Sequence, residues 1–83
     1  MMSSRKVLEY VATEPFVPFR IKMASGQSFD IRHPEMILIG KLSVRIYCKR
    51  GPGAGDAMTW QDVSLLHMES IEPIELSLEQ ANS

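Results

Sequence analysis

Cysteine is almost missing from this chain. Cys48 is the single one among 83 residues, so no internal disulfide can form and the stapled secreted class is excluded. Histidine is nearly as scarce: His33 and His67 are the only two, and they lack the paired spacing of a zinc site. No apolar run approaches the roughly 18 residues a membrane-spanning helix needs, and the opening MMSSRKVLEY has no apolar stretch suited to a signal peptide. These absences predict a cytoplasmic address, no membrane partner, no metal and no other cofactor. No charge sign dominates either. Nine Lys and Arg against ten Asp and Glu leave a formal net charge of -1, which gives no whole-molecule attraction to nucleic acid or to an anionic surface.

What is present is globular: 45% apolar and 23% charged residues in a length that suits one domain, residues 1–83. A chain this short buries only about 60–65% of its unfolded surface. One core must do the stabilising, with oligomerisation as a further source.

A helix is expected over residues 3–14. Ser3 or Ser4 can cap it, Val7, Leu8, Val11 and Ala12 form an apolar stripe, and Pro15 ends it. Arg5 and Lys6 sit at the end where cations oppose the helix dipole, so fraying is expected. PFVPF then reads as an extended connector that places Phe16 and Phe19.

FRIKMASGQSFDI reads as a hairpin. Phe19, Ile21 and Met23 alternate with Arg20, Lys22 and Ala24, and Phe29 and Ile31 alternate with Ser28, Asp30 and Arg32. A three-residue loop, Ala24-Ser25-Gly26, pairs Ile21 with Phe29 and Phe19 with Ile31. It also puts glycine where a type I turn with a G1 bulge needs positive φ. A slip of one residue would invert every side chain, so parity fixes the register. Arg20 then faces Asp30 on the outside.

Pro34 stops the strand because it has no N–H to donate. Met36–Ile39 is a short apolar run. Val44, Ile46 and Cys48 alternate with Arg45, Tyr47 and Lys49 as a strand, and residues 51–56 read as a mobile loop. Met58–Leu65 resumes strand character, Leu66-His67-Met68 breaks the period as a helical turn or bulge, and Glu69–Ile74 is a last strand. Residues 75–83 read as a loose tail. The fold class is mainly β with an N-terminal helix: about five short antiparallel strands over 19–74 in a strongly bent sheet or small barrel. A flatter sheet crossed by the helix is the alternative.

Chemistry-bearing residues are few. His33 reads as a turn residue before proline, and Cys48 as a small core residue. His67 reads as a turn residue satisfied by backbone, or as a ligand contact. RGPGAGDAMT lacks the Gly-Lys-Ser/Thr of a phosphate loop and no helix follows it, so it reads as a hairpin tip. Arg45, Tyr47 and Lys49 share one strand face, which reads either as a solvated outer face, favoured by the acidic pI, or as a cation-and-aromatic surface for RNA. Trp60 reads as either a core plug or an interface anchor, and with Met58 it is the candidate oligomer interface. No catalytic constellation is visible, so no enzyme is expected.

Two stretches carry a resemblance. FRIKMASGQSFDI resembles the first hairpin of the Sm-like (SH3-type) RNA-binding barrels, the group that includes the bacterial host-factor RNA chaperone. VSLLHMESIEP resembles their fourth strand, helical turn with a histidine, and fifth strand. The whole chain is also similar to a group of short uncharacterised bacterial proteins with an FRI…G…F.I.HPE opening and an LLH…IEP ending. The resemblance implies a ring of six or seven subunits joined by strands four and five, binding uridine- or adenine-rich RNA. It implies a pore position for His67, with Arg32, His33 and Glu35 near the pore. Leu66 stands where the host factor has lysine, His33-Pro34-Glu35-Met36 stands where Sm proteins have Asp-x-Met-Asn, and Arg50-Gly51 comes earlier than the Sm Arg-Gly pair. Two functions are expected: a self-associating, non-enzymatic interaction module that binds its own kind or another protein, or an Sm-like RNA-binding ring.

Overall fold

The structure is a computed structural model that describes residues 2–49, 53, 55 and 57–74. Helix α1 spans Ser4–Ala12, and the Ser3 side chain accepts the Lys6 N–H at 3.1 Å as its cap. The expected stripe is corrected in part. Val7 is buried and Val11 half-buried, but Leu8 is 53% exposed and Ala12 is exposed. Tyr10 takes their place: its ring lies 5.3 Å from that of Phe19 and its hydroxyl donates to the Ile71 carbonyl at 3.4 Å. The sheet meets the helix along a stripe spaced by three and four residues, which favours Val7, Tyr10 and Val11 over Leu8 and Ala12.

Strands β1 (Phe19–Met23) and β2 (Ser28–Ile31) pair in the expected register, Phe19 with Ile31 and Ile21 with Phe29. Gly26 closes the turn at φ +96°, and its N–H donates to the Met23 carbonyl at 2.9 Å. Arg20 and Asp30 face each other on the outer side.

Pro34 does more than end β2. It opens a single 3-10 turn, Pro34–Met36, after which the chain resumes as β3 (Ile37–Ile39). Strands β4 (Ser43–Lys49) and β5 (Met58–Ser64) follow. A second 3-10 turn, Leu65–His67, is capped by Ser64 and leads into β6 (Met68–Pro73). The period break expected at residues 66–68 is this turn, displaced by one. Among the described residues the strands number six, because the apolar run after Pro34 pairs with β4 as a strand of its own.

The result is two three-stranded antiparallel sheets, β2-β1-β6 and β3-β4-β5, and not a closed barrel. β3 pairs with β4 only from Ile39↔Val44 to Ile37↔Ile46, so Tyr47–Lys49 run past its end. Between the sheets sits one core, with Val7, Phe19, Ile21, Ile31, Val44 and Ile46 fully buried. The Leu65–His67 turn knits its parts together: Leu65 N–H reaches the Leu42 carbonyl, Met2 N–H reaches Leu65, and Ala24 N–H reaches His67.

Of the loop expected at 51–56, only Gly53 and Gly55 are described, both with positive φ. The rest of that loop, Arg50 and the tail at 75–83 lie outside the described residues. Among the described residues no helix is long and apolar enough to cross a membrane.

Candidate functional site

β4 and β5 form the longest ladder, in unbroken register from Ser43↔Ser64 to Lys49↔Met58. Successive side chains on a strand point to opposite faces. Val44, Ile46 and Val63 therefore turn to the core, while Arg45, Tyr47 and Lys49 face outward beside Asp62, Trp60 and Met58. Tyr47 and Trp60 are directly paired, with ring centroids 5.1 Å apart and planes tilted by 48°. Such a pair contributes about 0.5–1.5 kcal/mol beyond area burial. Yet Trp60 remains 42% exposed, Met58 38% and Tyr47 37%. Leu38, opposite Arg45 on β3, extends the apolar strip.

The sequence assigned these residues to two jobs, and the fold puts them on one face. Arg45, Tyr47 and Lys49 lie beside Met58 and Trp60. His67 does not join them, since it is exposed in the second 3-10 turn, with its carbonyl held by Ala24. Arg45 is also partly spent, because its Nε donates to Asp62 Oδ1 at 2.8 Å. Sequence reasoning missed that pair. The glycines and proline of residues 51–55 allow several turns, so the β4–β5 register could not be fixed in advance.

Two hollows of about 440 and about 670 Å³ lie alongside β5, toward β2. Gln27, Phe29 and Gln61 border both. The smaller reaches His67, and the larger reaches Arg32 and Lys49. At the rim of the larger, Asp30 accepts Arg20 Nε at 2.7 Å and lies 3.7 Å from Arg32. The Arg20 hydrogen bond holds the Asp30 carboxyl below its usual range, against the opposing effect of burial and with added help from both arginine charges.

Cys48 is half-buried, its thiol donating to Gln61 Oε1 at 3.7 Å, and burial pushes its pKa up. A raised pKa keeps the sulfur protonated and poorly nucleophilic. His33 is exposed before the first 3-10 turn, where its carbonyl accepts the Met36 N–H at 3.1 Å. Among the described residues no three His, Cys, Asp or Glu side chains converge to hold a metal. Comparison of the chain with family models, with curated proteins and with solved structures found no match.

Proposed function

We propose that the chain is a non-enzymatic interaction module that associates with itself through the β4–β5 side of its second sheet. The observation that carries this reading is the Tyr47–Trp60 pair with Met58, three large side chains each more than a third exposed on one face. Tyr, Trp and Met are the types enriched where interfaces form, and a domain this small gains from a partner's surface. The reading takes the cytoplasm as its setting. Sedimentation equilibrium from micromolar to millimolar chain tests it: the average mass should rise above 9.4 kDa as concentration increases. A strict monomer throughout would overturn it.

An Sm-like, SH3-type ancestry for this half-barrel is part of the proposal. Support comes from the N-terminal helix, the first hairpin and the 3-10 turn between the last two strands, with β2 and β3 counted as one strand interrupted at Pro34.

A second reading, RNA binding, is favoured by Arg45, Tyr47 and Lys49 sharing a face with Trp60. Bases stacked on exposed aromatics gain about 1–3 kcal/mol each. The Arg45–Asp62 pair and the distant His67 weigh against it. Titration of labelled poly-U and poly-A at two salt concentrations decides. Absence of binding at low salt, where phosphate contacts are strongest, ends the RNA reading.

A further inference from the structure

We infer that two copies of the chain join by antiparallel pairing of β5 with the partner's β5 about a two-fold axis at Gln61, making one six-stranded sheet. This rests on the self-association reading and gives it a geometry.

The first argument is a comparison of edges. An open sheet edge invites another strand unless it is short, charged, bulged or broken by proline. Among the described residues four strands are edges: β2, β6, β3 and β5. β2 has four residues, carries Asp30 with its arginines and runs into Pro34. β3 has three residues. β6 ends in Pro73, bears Glu69 and Glu72, and pairs with β1 through a bulge. β5 has seven residues, no proline, no lysine and an unbroken register. Its one charge, Asp62, is already tied to Arg45. Of the four edges, β5 alone is unguarded.

The second argument is register. Antiparallel self-pairing must keep outward side chains beside outward ones, so the axis must pass through a residue and not between two. Gln61 is the midpoint of Met58–Ser64, so an axis there uses all seven residues and any other axis uses fewer. An axis at Asp62 would also oppose two like charges. With the axis at Gln61, Trp60 faces the partner's Asp62. The outer face then reads Tyr47, Trp60, the partner's Asp62, the partner's Arg45, and the same row again in reverse. Indole N–H meets carboxylate, and exposed aromatic surface is covered. The third argument is room. Both hollows border Gln61, so its side chain has open space beside it in which to change position when two copies meet.

Cross-linking tests the register in the full chain, with the native thiol removed by Cys48→Ala. Gln61→Cys in that background should form a disulfide-linked dimer on mild oxidation. Thr59→Cys should not, because the two positions would stand about 13 Å apart, beyond disulfide reach. A charge pair supplies an independent reading, since Trp60→Lys and Trp60→Asp both remove the indole. The lysine would face the partner's Asp62 favourably, so its dimer should be about tenfold tighter than that of the aspartate variant. Circular dichroism of each variant checks that it folds. A wild-type chain that stays monomeric overturns both the pairing and the self-association reading. A dimer in which Thr59→Cys links and Gln61→Cys does not, or in which the two Trp60 variants associate equally, overturns the pairing alone. A mass of six or seven chains also overturns it, in favour of head-to-tail assembly.

Discussion

Asp30 shows how a surface charge is held. It takes the Arg20 guanidinium at 2.7 Å and lies near Arg32, and its carboxyl titrates below the ordinary range. A lowered folded-state pKa means that the ionised form stabilises the fold. That contribution is complete above the unfolded value of about 3.9 and fades as pH falls through the lower folded value. The side chain is 30% exposed, so solvent keeps the gain within about 0–1 kcal/mol. Asp30→Asn should therefore cost up to about 1 kcal/mol in urea unfolding at neutral pH, and the difference from the parent chain should shrink in acid. Phe19 is the opposite case. It is fully buried against Tyr10 and Phe16, and Phe19→Ala should cost about 3–5 kcal/mol in the same measurement. The burial of Phe19 was legible from strand alternation. The exposure of Trp60 was not, because alternation says which residues share a face but not which face meets the core.

Among the elements, the first hairpin was the most legible. Parity allowed one register, and Gly26 marked the position where the backbone turns left-handed. Gly26→Ala meets no neighbour within 4 Å, yet it must hold φ near +96°. It should lose about 1–2 kcal/mol in thermal unfolding from backbone conformation alone. Pro34 was half legible. Its missing N–H announces an end to β2, but the separation into two sheets depends on where β4 runs, and that is settled by long-range packing. The helix shows the same limit. Leu8 and Val7 are equivalent by local pattern, and only the packing of the helix on the strands selects Val7 and Tyr10 as the buried side. The face that carries the proposed function depended on the β4–β5 register, which a loop with several possible turns left open.

For the whole molecule, the strand order sets a hierarchy of protection. β1 lies between β2 and β6, and β4 between β3 and β5, so among the described residues these two strands alone have hydrogen-bonding partners on both sides. Amide exchange followed by NMR should be slowest in Phe19–Met23 and in the half of β4 that β3 covers, Val44–Ile46. The amides of β5 that point away from β4 should exchange quickly in dilute solution and slow as concentration rises, if the chains pair there. Uniform exchange in β5 at every concentration would contradict the pairing.

The partnership of β1 with β6 has a further consequence, in time. Phe19 and Pro73 are ladder neighbours, though most of the chain separates them. A ribosome makes β1 well before its second partner, at about 5–20 residues per second. For seconds, then, the strand bearing Phe19 and Ile21 has only β2 beside it. The first sheet is completed only once Met68–Pro73 has been made, and a nascent chain stalled before residue 68 lacks that ladder altogether.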